Sequence, residues 1–362
     1  MSDLVIAGAG MAGLAAAAEA RRLGAAPVVL ERLDRPGGSM RLSSGVIWRH
    51  REFDAFREEC PDGDERLQRL IFARLDGDID WLESLGAPVL LRETGNALTA
   101  GARFDPALLT EALVAAAGGL APNGSEGIEL DRALVEAPAG SPLILATGGF
   151  GANRDLLRVH VTPEADHALL RTAPGSTGEG LRIGLESGGS TSAGLDQVYA
   201  RAMPAPPAQV APADFVRLSQ LYARHATVTN ERGEPYETRT WSEIDVAQWQ
   251  LRQPRARAWF AVCADRLGER VRERTVAEMI EAAERAGAPV RRGADDVTVE
   301  TVAGVTTTLG GLAIDESGRV ADGVYACGAD AGGIATGGYA SGLAAALVFG
   351  RIAARAALGE AP

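Results

Sequence analysis

Residues 4–32 read LVIAGAGMAGLAAAAEARRLGAAPVVLER, and this stretch decides the fold. The short apolar run Leu4–Ala7 predicts a buried parallel strand that leads directly into the glycine-rich turn 8–13. In such a turn Gly8 permits the tight bend, Gly10 lets a pyrophosphate approach the backbone, and Gly13 lets the next helix pack closely on the strand. These residues predict the opening of a dinucleotide-binding unit.

The second half of the stretch completes a βαβ unit. An alanine-rich helix is predicted from Met11 to about Leu23, and its amino-terminal amides would face the turn as an anion site. A second strand follows at 28–30, and Glu31 stands at its carboxyl end, where a carboxylate accepts both ribose hydroxyls of an adenosine and disfavours a phosphorylated ribose. Glycine-rich spacing alone is weak in a chain with 44 glycines, and the alternative is a structural turn that binds nothing. Because the strand, the helix and the acid occur in the order and at the spacing of a dinucleotide-binding unit, the sequence favours dinucleotide binding.

Composition excludes several classes of function. The 362 residues suffice for two domains or for one large core with an insertion. No run approaches the roughly 20 apolar residues that cross a bilayer, and the net charge of −12 disfavours nucleic acid and anionic membranes as partners. Because the first strand begins after three residues, we expect no signal peptide and a cytoplasmic location.

Cysteine and lysine usage removes further classes of site. Cys60, Cys263 and Cys327 are far apart and form no C-x-x-C motif, so we expect no zinc, iron–sulfur or other metal site. All 36 basic residues are arginine, which excludes enzymes that depend on a Schiff-base lysine or a P-loop lysine.

Farther along the chain, glycine-rich segments recur next to predicted strands. Residues 37–45 are rich in glycine and serine, and the apolar run 142–145 ends in small residues, at the sheet edge where ligands lie in open α/β folds. Composition changes from Tyr199 to about Glu300, which predicts an inserted second domain. The remaining patterns predict one or two strands within 128–137 and helices at 67–85, 104–117, 181–187, 265–274, 276–286 and 343–357.

Seven segments in order resemble the flavoprotein family of fumarate reductases and succinate dehydrogenases, which also holds ketosteroid and tricarballylate dehydrogenases. They are the opening βαβ unit, GGSMRLSSGVIW, ILATGGFGAN, STGEGLRIGLESGG, TTLGGLAIDESGRV, GVYACGADAGG and GGYASGLAAALVFGRIA. The resemblance implies an α/β fold with a discontinuous, Rossmann-like FAD-binding domain at 1–198 and 301–362. It also implies an inserted α+β capping domain at 199–300 and an active site between this cap and the isoalloxazine ring.

The same resemblance assigns parts of FAD to residues of this chain. The first turn would hold the pyrophosphate, the acid after the second strand the adenosine ribose, and 38–45 the ribityl chain and flavin edge. Residues 146–148 would cover the adenine side, Asp330 would bind the ribityl chain, and 341–343 would face the pyrimidine end of the flavin. The residues predicted to bind FAD are Gly8, Gly10, Ala12, Gly13, Glu31, Arg32, Gly38, Ser39, Ser44, Gly45, Ala146, Thr147, Gly148, Asp330, Ser341, Gly342 and Leu343.

Departures from the family pattern concern the flavin linkage and the substrate. Covalent members carry a histidine where this chain has 41–43, RLS, so the resemblance implies noncovalent FAD. His50 lies too far along to serve and is interpreted as a surface histidine. Fumarate reductases place a histidine where this chain has Thr308 and an arginine near Gly337. Two cationic contacts to a dicarboxylate are therefore missing, which favours a neutral or singly charged substrate.

Four residues are predicted as catalytic by position in the family. Tyr339 stands near a tyrosine that polarises a carbonyl in ketosteroid dehydrogenases, and Arg239 is the nearest match to the proton-donating arginine of fumarate reductases. Tyr222 and Tyr236 are weaker proton-transfer candidates. An ordinary ion pair for Arg239 and packing within the cap for the latter two tyrosines are the alternatives.

These features predict an FAD-dependent oxidoreductase that dehydrogenates or reduces a carbon–carbon bond next to a carbonyl-type group in a small molecule. Two alternatives stay open: an FAD oxidase of another type, acting on amines or alcohols, and a flavin-binding protein without a redox role. The electron donor or acceptor, and any homo-oligomer, are left open by the sequence.

Overall fold

The computed structural model describes residues 4–121, 126–134 and 140–361. Its strands in chain order are β1 (Leu4–Ala7), β2 (Pro27–Leu30), β3 (Val46–His50), β4 (Val89–Leu91), β5 (Thr99–Phe104), β6 (Gly127–Glu129), β7 (Leu143–Leu145), β8 (Leu169–Leu170), β9 (Val198–Pro204), β10 (Thr227–Thr229), β11 (Pro235–Tyr236), β12 (Arg257–Cys263), β13 (Arg270–Val271), β14 (Arg274–Thr275), β15 (Val290–Arg292), β16 (Asp296–Thr308), β17 (Arg319–Ala321) and β18 (Val324–Ala326). The α-helices are α1 (Met11–Arg22), α2 (Phe53–Glu59), α3 (Glu65–Ser84), α4 (Pro106–Ala116), α5 (Arg154–His160), α6 (Glu179–Glu186), α7 (Phe215–Leu218), α8 (Ile244–Leu251), α9 (Val276–Arg285) and α10 (Gly342–Ala357).

The chain divides into two compact units. Unit 1 comprises 1–153, 173–195 and 307–362, and unit 2 comprises 154–172 and 196–306. The sequence placed the inserted domain at 199–300 and assigned 154–172 to the FAD-binding domain. Segment 154–172 joins unit 2 because its strand β8 pairs with β16, a partner more than a hundred residues away that no local pattern identifies.

Unit 1 is built on a mainly parallel sheet with the strand order β17-β18-β7-β1-β2-β6. β1 lies parallel to both β2 and β7, with Ile6 opposite Val29 and Ile144. Among the described strands of this sheet, only β17 is antiparallel, since it forms a hairpin with β18. This order confirms the predicted Rossmann-like α/β architecture, in which the carboxyl ends of β1, β2, β7 and β18 share one edge. A smaller antiparallel sheet has the order β3-β5-β4.

The first and last helices of unit 1 pack closely against each other. A side chain at Gly350 of α10 would overlap the carbonyl oxygen of Ala12 in α1 and would approach Ala15. Both helices are rich in alanine, so their backbones come near enough to bury both helices beside the sheet. The predicted helix at 343–357 is therefore confirmed, and it belongs to the core of the dinucleotide unit.

A buried ion cluster joins α1, α3 and α10. Arg351 donates to Glu19 at 3.0 Å and to Asp78, and its guanidinium lies 4.3 Å from the ring centre of Trp81. Burial raises the pKa of Asp78 to about 6, because Arg351 compensates only part of the lost hydration. Within the described residues, Oδ2 of Asp78 has no hydrogen-bond partner.

We expect Asp78→Asn to remove a pH dependence of stability. The folded chain holds the Asp78 proton more tightly than the unfolded chain, so the contribution of this group is present below pH 4 and is lost as pH rises to about 6. It amounts to at most about 3 kcal/mol. Urea unfolding between pH 4 and pH 7 should show a flatter profile for Asp78→Asn than for the wild type. Exposed Asp76→Asn is the control, and equal profiles for Asp78→Asn and the wild type would refute the assignment.

Unit 2 contains a seven-stranded sheet centred on β16. Its main path is β11-β10-β12-β16-β15, and β8 and β9 also pair with β16. The core beneath it contains Tyr222, Phe260 and Met279. The helix α9 begins with a capping box of Thr275 and Glu278, as its polar start suggests.

The predicted helix at 265–274 is wrong. Residues 264–266 form one 3₁₀ turn, and Arg270–Thr275 then fold into the hairpin β13–β14, with Arg272 in the left-handed region at φ 57°. This segment is polar and has Gly268 at its centre, so no apolar face stabilises a helix there. The predicted helix at 276–286 is confirmed as α9.

Other predicted elements are confirmed with small shifts of their ends. The helix predicted at 67–85 is α3, which begins earlier because Asp64 accepts a hydrogen bond from the Arg66 amide. The helix predicted at 104–117 is α4, capped by Asp105, and Phe104 instead ends β5. The helix predicted at 181–187 is α6. Of the strands predicted within 128–137, β6 covers 127–129, and 135–137 lie outside the described residues.

Candidate functional site

The glycine turn at the end of β1 has the geometry that the sequence predicts. Gly8 has φ 104° and donates its amide to Leu30 O at 2.7 Å. A side chain at Gly13 would overlap the carbonyl oxygen of Gly8, so the turn role and the close-packing role are confirmed. Gly10 differs, because a Cβ there would meet nothing within 4 Å. Open space therefore lies before the amino terminus of α1, where helix amides favour an anion.

Glu31 connects the end of β2 to this turn. Its carboxylate accepts the Ala9 amide at 2.7 Å and the Leu33 amide at 2.9 Å, and the side chain is 6% exposed. Burial raises the pKa of Glu31, and these two amides partly oppose that rise. The ribose contact of Glu31 stays a prediction. The neighbouring Arg32 forms an ion pair with Glu179 at 2.8 Å.

The segment 37–45 lies beside the same turn. The Gly37 amide donates to Ala9 O at 2.7 Å, and a Cβ at Gly38 would lie 3.5 Å from the α-carbon of Gly10. Ser39 accepts the Ala173 amide at 3.0 Å. Gly45 has φ 70°, next to the half-buried Ser44. The structure thus brings together the predicted FAD residues of the turn 8–13 and those of the segment 37–45.

Asp330 follows β18 in the chain, and its side chain contacts the loop that follows β7. Its carboxylate accepts the amide and the hydroxyl of Thr147, the latter at 3.0 Å, and the Gly149 amide at 3.0 Å. The side chain is 1% exposed, and a Cβ at Gly180 would overlap it. Burial raises the pKa of Asp330 against the effect of the donating amides. These hydrogen bonds hold the Thr147 loop, and the predicted contact of Asp330 with the ribityl chain stays a prediction.

The amino terminus of α10 completes this edge of unit 1. Ser341 accepts the Ala344 amide at 3.3 Å as the helix cap, Gly342 is exposed, and Leu343 is half-buried. The predicted start of this helix is therefore confirmed, and its contact with the flavin pyrimidine stays a prediction. Ala146, which is buried, donates its amide to Ala7 O at 2.8 Å, and Gly148 has φ 94°.

Tyr339 lies in an aromatic cluster that sequence reasoning missed. Its ring is 5.5 Å from Trp48, edge to face, and Trp48 in turn contacts His50 at 5.3 Å. The interpretation of His50 as a surface residue is wrong, because the ring is fully buried and stacks on Phe56 at 5.0 Å. Burial lowers the pKa of His50 to about 4. The alternation of strand β3, with Trp48 and His50 on one face, was the signal available in the sequence.

The catalytic candidates of unit 2 have different surroundings. Tyr222 is fully buried against Phe260, at 5.8 Å, and its hydroxyl has no partner among the described residues, which favours a packing role. Tyr236 stacks on Trp249 at 4.9 Å and donates to Asp245 at 3.2 Å. Arg239 is exposed and donates to the Tyr236 hydroxyl at 3.3 Å. The predictions for Arg239 and Tyr236 stay predictions.

Metal-ligand clusters and membrane-spanning helices are both absent from the described residues. Over 4–121, 126–134 and 140–361, no group of His, Cys, Asp and Glu side chains is placed to hold a metal ion. Within the same ranges, no helix combines the length and apolar character that a membrane span needs.

Comparison with known proteins identifies a family and a fold. A family model described as FAD binding domain matches residues 3–130 and 128–343. A flavocytochrome c3 fumarate reductase in its open conformation is similar, with 20% identity, a TM-score of 0.71, and coverage of 99% of this chain and 78% of that one.

Two steroid enzymes share the fold as well. The 3-ketosteroid-Δ4-(5α)-dehydrogenase of Rhodococcus jostii RHA1 has 19% identity, a TM-score of 0.69, and coverage of 99% of this chain and 96% of that one. The 3-ketosteroid Δ1-dehydrogenase of Sterolibacterium denitrificans has 13% identity, a TM-score of 0.71, and coverage of 99% of both chains. No curated protein sequence matches the chain.

Proposed function

The chain belongs to the FAD-binding family whose model it matches, and from this premise we propose that it dehydrogenates or reduces a carbon–carbon bond next to a carbonyl group. The observation that supports FAD binding most directly is the open space at Gly10, between the β1 turn and the amino terminus of α1. A pyrophosphate would lie here, because helix amides bind anions and no atom comes within 4 Å of a Cβ built at Gly10.

The residues of unit 1 would share the work of holding FAD. The turn 8–13 would face the pyrophosphate, Glu31 the adenosine ribose, and the start of α10 the flavin, where its dipole favours negative charge. Asp330 would hold the Thr147 loop in shape, and its contact with the ribityl chain stays a prediction. Bound FAD supplies hydride transfer, and the protein supplies orientation, exclusion of water and proton transfer.

The similar enzymes support the type of bond. The names of the three structural relatives specify fumarate or 3-ketosteroids, and these compounds carry or gain a C=C bond next to a carbonyl. Thr308 and Gly337 stand where the resemblance would place a histidine and an arginine, which favours a substrate with one charge or none. Tyr339 is the residue of unit 1 proposed to face the substrate carbonyl.

We expect the protein, purified without added flavin, to show the visible bands of oxidised flavin. After acid precipitation the bands should stay in the supernatant, because no histidine occupies 41–43 for a covalent link. Anaerobic addition of 4-androstene-3,17-dione, its saturated analogue, succinate and simple 2-enones should then identify compounds that bleach or restore the bands.

The outcomes separate the alternatives. Amines and alcohols are added in the same way, and bleaching by one of them would identify an oxidase of another type. Bound flavin that none of the panel reduces, and whose reduced form none of the panel reoxidises, would contradict the proposed reaction. A protein that stays colourless after incubation with FAD would contradict cofactor binding itself.

A further inference from the structure

Unit 2 contains a phenol and a guanidinium that face each other on β9. Tyr199 and Arg201 are two residues apart, so their side chains point to the same side of the strand. Arg201 Nε donates to the Tyr199 hydroxyl at 2.9 Å, and the guanidinium carbon lies 5.0 Å from the ring centre. Arg201 also donates to Ser242 O at 2.6 Å, which fixes its orientation. The arginine is 6% exposed, whereas Tyr199 is half-buried and thus partly accessible.

Further positive charge surrounds this pair. Arg171, 8% exposed, follows β8 and donates to Thr306 on β16 at 2.8 Å. Gly304 of β16 lies close to both arginines, since a Cβ there would lie 2.7 Å from Met203 Cγ, 3.3 Å from the backbone oxygen of Arg201 and 3.6 Å from Arg171 Cδ. Burial raises the pKa of Tyr199, but the charges of Arg201, Arg171 and Arg272 outweigh it and lower the pKa to about 8.

The other two tyrosines of unit 2 have the opposite electrostatic surroundings. Burial and the charge of Glu243 raise the pKa of Tyr222. Burial raises the pKa of Tyr236 too, and Asp245 adds to that rise while Arg239 opposes it. Of these three phenols, Tyr199 is therefore the one whose surroundings favour the phenolate that proton transfer requires.

We propose that Tyr199 is the catalytic acid and base of this enzyme and that Arg201 is its positioning residue. The inference rests on the proposed function. In dehydrogenation, the Tyr199 phenolate would accept the proton from the carbon next to the activating group. The neighbouring carbon would lose a hydride, whose two electrons go to the flavin, and the C=C bond would form between the two carbons. In reduction, the neutral phenol would give the proton back.

The variants Tyr199→Phe, Arg201→Gln and Arg201→Lys test this assignment, with Tyr325→Phe as the matched control. Tyr325 is a hydrogen-bonded tyrosine of unit 1, bonded to Ala356 O at 3.3 Å. The first readout needs no turnover: tyrosinate absorbance in the near ultraviolet is followed against pH. Wild type and Tyr325→Phe should show one phenol that ionises near pH 8, Tyr199→Phe should lack it, and Arg201→Gln should move it towards the ordinary value near 10. Arg201→Lys, which keeps the charge, should move it less.

The second readout is flavin bleaching by the compound that reduces the wild-type protein in the substrate screen. Tyr199→Phe should slow bleaching by about 10²-fold or more while FAD affinity stays unchanged. In dehydrogenation the rate should rise with pH through about 8, and Arg201→Gln should shift this rise to higher pH. If Tyr199→Phe bleaches at the wild-type rate and with the wild-type pH profile, the role assigned to Tyr199 is wrong and the proposed function is unaffected. If no compound reduces the wild-type flavin or reoxidises its reduced form, the proposed function fails and this inference fails with it.

Discussion

Asp330→Ala is expected to destabilise unit 1 by about 4 kcal/mol and to abolish FAD binding at micromolar cofactor. The carboxylate accepts the amides of Thr147 and Gly149 and the Thr147 hydroxyl in a place that is 1% exposed. Alanine would leave the buried Gly149 amide and the half-buried donors of Thr147 without this partner, each at a cost of roughly 1–3 kcal/mol. The loop after β7 would then lose the shape that the cofactor edge requires.

Urea unfolding and FAD fluorescence titration measure the two effects separately. Asp322→Ala is the matched control, because its side chain is fully exposed and should change stability by less than about 0.5 kcal/mol. Asp330→Asn keeps the volume but turns an amide donor towards the amides, so we expect a loss between those of the alanine variant and the control. Wild-type stability and FAD affinity in Asp330→Ala would contradict the role assigned to the carboxylate.

Gly13→Ala and Gly10→Ala should both lose FAD, but only the first should also lose stability. A Cβ at Gly13 would overlap the backbone oxygen of Gly8, which neither strand nor helix can move away without disrupting the turn. We expect a loss of about 3 kcal/mol or more in the free energy of unfolding. Gly10 has φ −80° and open space beside it, so alanine fits the protein and fills the place of the pyrophosphate.

Isothermal titration with FAD and urea unfolding distinguish the pair. For Gly10→Ala we expect at least 100-fold weaker FAD binding, about 3 kcal/mol, at wild-type stability. Gly77→Ala, in the middle of α3 with no atom within 4 Å of its Cβ, is the control and should be stabilised by about 0.5–1 kcal/mol. Full FAD affinity in Gly10→Ala would exclude the pyrophosphate from this turn.

The parts of the molecule that sequence predicts well are those set by neighbours in the chain. The β1 turn, the packing of Gly13 and the cap of α4 by Asp105 follow from residues a few positions apart. The burial of His50 and the direction of the Asp330 carboxylate depend on contacts with distant segments. Local spacing cannot specify such contacts, and for the same reason segment 154–172 was assigned to the other unit.

The candidate proton-transfer group shows the same limit. The sequence does not predict Tyr199 as a catalytic residue, because the residues next to it in the chain do not reveal the charges that surround it in the fold. Only Arg201 is close in sequence, while Arg171 and Arg272, whose charges also lower the pKa of Tyr199, lie far along the chain, after β8 and in the hairpin β13–β14. The sequence shows that residue 199 is a tyrosine, but only the folded structure shows that arginine charges surround it.

The contact between α1 and α10 has a consequence for biosynthesis. The ribosome makes α10 more than 300 residues after α1, yet each helix buries its face against the other through Ala12 and Gly350. During translation, the apolar surface of α1 that α10 covers stays exposed while the whole of unit 2 is synthesised. Unit 2, mostly contiguous at 196–306, can fold before α10 is made, whereas the contact between α1 and α10 can form only after α10 has been synthesised.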